Sequence, residues 1–245
     1  MSFVVPAVLP SSRKDLEEKL ALVVQIPSVS RVQIDVVDGM FAEPASWPYF
    51  AKATNGIPTE LEIMVQKGEM LPYLDRIVYE IDLMCIDAER MAQTWLILGA
   101  TRLTFHAEST TDISRLLAFM RRSYGAGDGF IPGLVSYGVA LNVASDLALI
   151  EPCLDEVEYV QCMGIARIGR QGQLFDPRVF EKIRAFHTRH PHITLQVDGG
   201  VSLENAKRLL MLGVSDLVIG SALFSARDIA ATFSKFEALQ SNYGV

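Results

Sequence analysis

The chain has 245 residues, half of them apolar, with 22 lysines and arginines against 29 aspartates and glutamates. The net charge of −7 argues against binding to nucleic acid or to a membrane surface, because both need basic patches. The apolar content and the lack of low-complexity stretches predict an ordered globular protein, and the length suits one α/β barrel of about 250 residues. We therefore expect a single domain over residues 1–245.

Cysteine usage and hydropathy predict a cytoplasmic protein. Cys85, Cys153 and Cys162 form neither an even disulfide framework nor a CxxC metal pair, so reduced thiols are expected. The segment from Met1 to Pro10 lacks the basic and apolar regions of a secretory signal. No apolar run reaches the about 18 residues that a membrane span needs.

Short apolar segments alternate with segments of helical periodicity along the whole chain. Ser11 or Ser12 can cap the first helix, which begins near Lys14. We predict eight strands, at residues 3–9, 29–37, 77–85, 101–108, 135–143, 157–165, 195–201 and 216–222. Further helices are predicted at residues 87–98, 109–124, 177–188 and 202–212.

The stretch from Glu43 to Leu74 is predicted to be an irregular insertion. Four prolines interrupt it, and the segment from Leu61 to Val65 is compatible with a strand or a helix. We favour a helix followed by an irregular connection.

Eight strands alternating with helices predict a parallel (β/α)₈ barrel, also called a TIM barrel. The functional site of such a barrel lies at the C-terminal ends of its strands. Polar side chains are expected there at Gln33, Asp35, Asp82, His106, Glu108, Asn142 and Asp198. Several acidic groups in one pocket repel each other unless a cation or shared protons offset their charge.

Asp35 and Asp198 support two compatible interpretations. As a pair on opposite sides of a bound sugar, one can remove a proton next to a carbonyl while the other returns it from the opposite face. Together with Asp82 and Gln33, they can also hold a divalent metal that polarises the carbonyl. We interpret His106 as a structural partner of Glu108.

The last two strands end in glycines that suit a phosphate. Gly199 and Gly200 follow one strand, and Gly220 and Ser221 follow the next. This arrangement matches the phosphate site common in these barrels, where backbone amides bind anions. In the loop from Ala166 to Asp176, arginines either add charge to the substrate or are solvated.

The chain resembles the ribulose-phosphate 3-epimerase family. The resemblance rests on Val5–Leu9, Gln33–Gly39, Asp82–Met84, Phe105–Glu108, Gly138–Asn142, Val197–Val201 and Gly220–Ala222. It implies metal-assisted 3-epimerisation of a pentulose 5-phosphate through an enediolate, with Asp35 and Asp198 as the acid/base groups, and a homo-oligomer. The expected substrate and phosphate contacts are Gly199, Gly200, Gly220, Ser221, Gly172, Arg170, Asn142, Met84 and Met163.

Several positions depart from the pattern of that family. The family has histidine metal ligands where this chain has Gln33 and Asp82, a serine at Ala7 and a methionine at Val37. The family's glycine-rich loop after the sixth strand is replaced by residues 166–173. The resemblance implies zinc or iron, whereas an oxygen-only ligand set of Gln33, Asp35, Asp82 and Asp198 favours manganese or magnesium.

The leading hypothesis is a sugar-phosphate epimerase or isomerase acting on a ketose phosphate of the ribulose 5-phosphate and xylulose 5-phosphate type. A phosphosugar lyase is the second enzyme hypothesis, although no lysine occupies a predicted strand end to form a Schiff base. The lost histidines motivate a third hypothesis, a non-catalytic sugar-phosphate sensor or scaffold.

Overall fold

A closed barrel of eight parallel strands forms the centre of the protein, as a computed structural model that describes residues 2–49, 59–125 and 134–241 shows. Each strand pairs with the next in sequence, and the last pairs with the first. The strands are β1 Val4–Val8, β2 Arg31–Val37, β3 Val78–Met84, β4 Arg102–His106, β5 Ser136–Leu141, β6 Tyr159–Met163, β7 Thr194–Asp198 and β8 Asp216–Ile219. The predicted barrel is therefore confirmed.

Helices follow most of the strands. They are α1 Arg13–Val23, α2 Glu60–Gln66, α3 Ala88–Ile97, α4 Ile113–Met120, α5 Arg178–Arg189, α6 Leu203–Met211, α7 Ser221–Phe224 and α8 Ile229–Ser241. Of the two candidate caps for α1, Ser12 accepts a hydrogen bond from the Asp15 amide at 3.1 Å. Within the described ranges, no helix is both long enough and apolar enough to cross a membrane.

Two connections differ from the predicted alternation of strands and helices. Only two short 3₁₀ helices, Leu147–Leu149 and Glu151–Glu156, link β5 to β6. The helix predicted over 109–124 is shorter, because the chain first makes a 3₁₀ turn at Ala107–Ser109 and because α4 gives way to a π turn at Arg121–Gly125.

The predicted insertion contains a helix where one was favoured. α2 begins with a capping box in which the Thr59 side chain and the Glu62 side chain each accept the other residue's backbone N–H. The connection from α2 to β3 is irregular, as expected. The part of the insertion at residues 50–58 lies outside the described residues.

The barrel separates an apolar layer from a polar interior. Apolar side chains on the outer faces of the strands pack against the helices in one large cluster. Inside the barrel lies a set of buried side chains that carry polar groups: Gln33, Glu80, Asp82, Thr104, His106, Tyr159, Gln161 and Gln196. This interior lies directly beneath the C-terminal ends of the strands, so it can control the groups of a site there.

Substituting Gly138 by Ala is expected to destabilise the barrel. A Cβ atom at Gly138 would lie 2.2 Å from the Tyr159 ring, which is held by a 2.7 Å hydrogen bond to Thr104 and by the Arg102 guanidinium 4.2 Å from its centroid. Overpacking of this kind costs about 1–3 kcal/mol. Urea unfolding should report that loss, and the double variant Gly138→Ala/Tyr159→Leu should recover part of it. Unchanged stability of Gly138→Ala would contradict this packing.

Candidate active site

Three buried carboxylates meet at the C-terminal end of the barrel. Asp35 ends up opposite Asp82 because β2 and β3 pair in that register, and Asp198 is the last residue of β7. Each offers an oxygen within 4.8 Å of the other two. The strand alternation of the sequence thus brings together the three aspartates that were predicted to converge.

Glutamine side chains hold these carboxylates from below. The Gln33 amide nitrogen donates to Asp35 Oδ1 and to Asp198 Oδ2, both at 2.9 Å. The Gln161 amide nitrogen donates to Asp82 Oδ2 at 3.2 Å. Gln33 therefore bridges the two residues predicted to be the acid/base pair.

Burial and the proximity of other carboxylates raise the pKa of two of these aspartates. Burial raises the pKa of Asp35 to about 7, and the charge of Asp82 adds to the increase. Burial also raises the pKa of Asp198 well above its usual range, with further contributions from Asp35 and Asp82. A carboxyl group with a pKa near neutral pH can both accept and donate a proton, which is what acid/base catalysis requires.

A divalent cation fits this cluster. Three carboxylates supply hard oxygen donors of the kind that magnesium and manganese prefer. A cation would also offset the repulsion that raises the pKa of Asp35 and Asp198. Gln33 turns its nitrogen toward the cluster, so the ligand role predicted for its oxygen would require the amide to rotate.

His106 pairs with Asp82, and its predicted pairing with Glu108 is wrong. His106 Nε2 lies 3.0 Å from Asp82 Oδ1. Burial acts to lower the pKa of His106, but the carboxylates of Asp82, Glu108 and Asp198 together outweigh burial and raise it. Glu108 lies in the turn after β4, where strand alternation no longer holds, and instead accepts a 2.8 Å hydrogen bond from the Asn142 backbone.

The predicted phosphate residues line one pocket with the acid/base pair. Gly199 and Gly200 have φ values of +100° and +66°, which favour glycine. A Cβ at Gly200 would lie 2.7 Å from the Phe175 backbone, so this turn leaves no room for a side chain. The pocket is lined by Asp35, Met84, Met163, Arg170, Gly172, Asp198, Gly199, Gly200, Gly220 and Ser221, among others.

Asn142 lies apart from that pocket. It lines a neighbouring cavity together with Phe41, Arg167 and Arg170. Arg170 borders both cavities, and its Nε donates to the Glu43 carbonyl at 3.1 Å. Of the predicted substrate contacts, the structure thus brings all but Asn142 to one pocket.

Gln171 is a pocket residue that the sequence interpretation missed. Its amide nitrogen donates to the Ala7 carbonyl at 3.2 Å, and its side chain lines the pocket together with Asp35. A Cβ on Gly220 would lie 2.5 Å from the same nitrogen. Gln171 therefore occupies the space between the acid/base pair and Gly220. Of the side chains in this loop, only the arginines were expected to contact the substrate, because they are charged.

Comparisons with known proteins find relatives that match most of the chain. A family model described as the ribulose-phosphate 3 epimerase family matches residues 3–224. Ribulose-phosphate 3-epimerase of Buchnera aphidicola is 26% identical over 184 residues, covering 74% of this chain and 76% of that protein. The Aquifex aeolicus enzyme of the same name is 26% identical over 209 residues, covering 84% and 82%.

Solved structures share the fold at low identity. The structure of 3-hexulose-6-phosphate synthase from Salmonella typhimurium aligns with a TM-score of 0.63 at 14% identity, covering 99% of this chain and 100% of that one. At this identity the likeness shows the barrel architecture alone.

Proposed function

The chain belongs to the ribulose-phosphate 3-epimerase family, and we propose that it inverts one carbon of a phosphorylated ketose, of the ribulose 5-phosphate and xylulose 5-phosphate type. The family match confirms the family and the enzyme class, an isomerase, that the sequence indicated. The proposed reaction rests on one observation, the pair of Asp35 and Asp198. Gln33 bridges the two carboxyl groups, and the pKa of each is raised.

In the proposed reaction, Asp35 and Asp198 act from different walls of the pocket. They belong to β2 and β7, which β1 and β8 separate in the barrel. One ionised carboxylate removes the proton from the carbon next to the carbonyl, which leaves an enediolate. The other carboxyl group returns a proton to the opposite face, and the two groups exchange protonation states. Both steps are helped by carboxyl groups whose pKa is raised above the usual range of an aspartate, as it is for Asp35 and Asp198.

The remaining pocket residues orient and shield the sugar. Met84 and Met163 line the wall beside the acid/base pair and exclude water from the enediolate. His106 pairs with Asp82 beneath the pocket and so holds that carboxylate in place. Asp35, Asp82 and Asp198 would hold a divalent cation, which when bound supplies positive charge to the carbonyl and enediolate oxygens.

The proposed activity has a direct test. The protein is incubated in D₂O with each of a panel of ketose phosphates, and proton NMR follows the hydrogen at the carbon next to the carbonyl. We expect loss of that signal together with appearance of the epimer. Binding without exchange, for every member of the panel, would contradict the proposal and would support a non-catalytic sensor.

Gly200→Ala is expected to raise KM for the phosphorylated substrate by about tenfold or more. The added Cβ would meet the Phe175 backbone at 2.7 Å in a turn whose φ of +66° disfavours alanine, so the phosphate turn must shift. Gly213→Ala is a matched control, since it also has positive φ but lies in the turn between α6 and β8. Steady-state kinetics should show a normal KM for that control. Equal KM values in both variants would argue against a phosphate site here.

A further inference from the structure

Beneath the three aspartates lies a fourth buried carboxylate, Glu80, which the proposed reaction does not use. It is fully buried on β3 and lies between two guanidinium groups: Arg102 Nε at 3.0 Å and Arg31 Nε at 3.7 Å. Thr104 donates a hydrogen bond to its other oxygen at 3.3 Å. As a carboxylate, Glu80 can only accept hydrogen bonds, so every neighbour must turn a donor toward it.

Gln196 links Glu80 to the two glutamines that contact the aspartates. Its amide nitrogen lies 2.5 Å from Glu80 Oε1, 2.8 Å from Gln161 Oε1 and 3.3 Å from Gln33 Oε1. Its own oxygen is buried and has no hydrogen-bond partner among the described residues. The opposite orientation of the amide would place that oxygen against the Glu80 carboxylate, so Glu80 holds the nitrogen in this direction.

The orientation of Gln196 sets the orientation of the two glutamines above it. Gln33 and Gln161 both turn their oxygens toward the Gln196 nitrogen. Their nitrogens consequently face upward, to the Asp35 and Asp198 pair and to Asp82. An amide cannot present nitrogen to both sides, so a reversal at Gln196 would turn glutamine oxygens toward the aspartates.

We propose that Glu80 is a positioning residue that fixes the orientation of the three glutamines Gln196, Gln33 and Gln161, here called the glutamine relay. In this orientation Gln33 presents a donor to Asp35 and Asp198, and Gln161 presents a donor to Asp82. This inference rests on the proposed acid/base roles of Asp35 and Asp198. It gives function to three buried side chains, Glu80, Gln161 and Gln196, that would otherwise only fill the barrel.

The first test is the substitution Glu80→Gln, which keeps the volume but removes the fixed acceptor. A glutamine at position 80 can turn either end toward Gln196, so both directions of the relay become available. We expect kcat to fall by about 10- to 100-fold, as for a misplaced catalytic group, while KM changes by less than about threefold because the phosphate turn is untouched.

The decisive comparison is the exchange variant Glu80→Gln/Gln196→Glu, which preserves composition, volume and net charge. It keeps one carboxylate in this buried layer, where it can still balance the charge of the two arginines, so we expect it to recover part of the melting temperature lost by Glu80→Gln. The carboxylate at position 196, however, demands donors from Gln33 and Gln161, which reverses them. Activity should therefore stay low. Recovery of kcat together with stability would show that Glu80 only balances charge and would overturn the proposal.

Two further variants complete the experiment. Tyr159→Phe removes the hydrogen bond to Thr104 in the same buried layer without touching Gln196, and it should keep the wild-type kcat. If Glu80→Gln does not fold, Gln196→Met removes the link while leaving Glu80 with its arginines, and it should show the same loss of kcat. A wild-type kcat in Gln196→Met would overturn the inference. Absence of turnover in the wild-type protein would instead contradict the proposed function itself.

Discussion

Asp35→Asn and Asp198→Asn are each expected to slow epimerisation by about 10²- to 10⁴-fold, the usual contribution of a general acid or base. Each substitution preserves the shape of the side chain but removes one of the two groups that must carry a proton. Gln33 can no longer donate to the new amide if that amide turns its nitrogen inward, so some loss of alignment is included in the effect.

The exchange pattern of these variants is more informative than the size of the loss. If the two carboxylates act on opposite faces, Asp198→Asn leaves Asp35 able to remove the proton of one epimer. That epimer should exchange its hydrogen in D₂O without inversion, while the other should not exchange. Asp35→Asn should show the reverse preference. Proton NMR with both epimers as starting materials measures all four rates.

Asp176→Asn is a suitable control for these two variants. Asp176 is an aspartate in the loop between β6 and α5. Its carboxylate pairs with Arg178 at 2.6 Å and lies outside the cluster of Asp35, Asp82 and Asp198. Its substitution should leave exchange from both epimers unchanged. The same exchange preference in Asp35→Asn and Asp198→Asn would contradict the assignment of the two groups to opposite faces.

Strand periodicity explains why the centre of the site could be predicted. Alternation placed Gln33 and Asp35 on the inner face of β2, and the barrel topology then brought Asp82 and Asp198 to the same end. The direction of a side chain in a strand depends only on its position. It therefore follows from the sequence once the strand is identified.

Partner choice within the site could not be predicted in the same way. Glu80 shares the inner face with Asp82, and Gln196 with Asp198, so the sequence did contain their signal. Which of several nearby acceptors a glutamine chooses depends on distances across the barrel. The pairing of His106 likewise depends on where β4 ends. Glu108 would lie on the same face as His106 only if the strand continued for two more residues, but β4 ends at His106. Such distances are set by tertiary packing and not by local pattern.

The stability of the metal-free protein is expected to fall as the pH rises toward about 7. The pKa of Asp35 is about 7 in the folded protein against 3.8 for the free group, so the folded state binds the proton more tightly than the unfolded state. Stability is then greatest at low pH within this window and is lost as the folded group ionises. Because each tenfold difference in proton affinity between the two states corresponds to about 1.4 kcal/mol, the loss is about 4 kcal/mol.

Added divalent metal should reverse this trend. A cation bound by Asp35, Asp82 and Asp198 requires their ionised forms, so binding competes with protons and strengthens as the pH rises. A saturating metal at about 100 times its dissociation constant stabilises by about 2.7 kcal/mol. We expect the gain to be larger for manganese or magnesium at about pH 8 than at about pH 5, as the oxygen donors imply.

Urea unfolding across this pH range, with chelator or with manganese, magnesium or zinc, measures both effects. Asp35→Asn serves as the matched variant, because it removes one titrating group and one ligand together. Without metal it should be more stable than the wild type near pH 8 and should show a flatter pH dependence. With metal, the free energy of unfolding of Asp35→Asn should increase by less than that of the wild type. Wild-type stability that rises with pH in chelator would mean that the three carboxylates are not crowded as the structure has them, and the metal site would lose its physical basis.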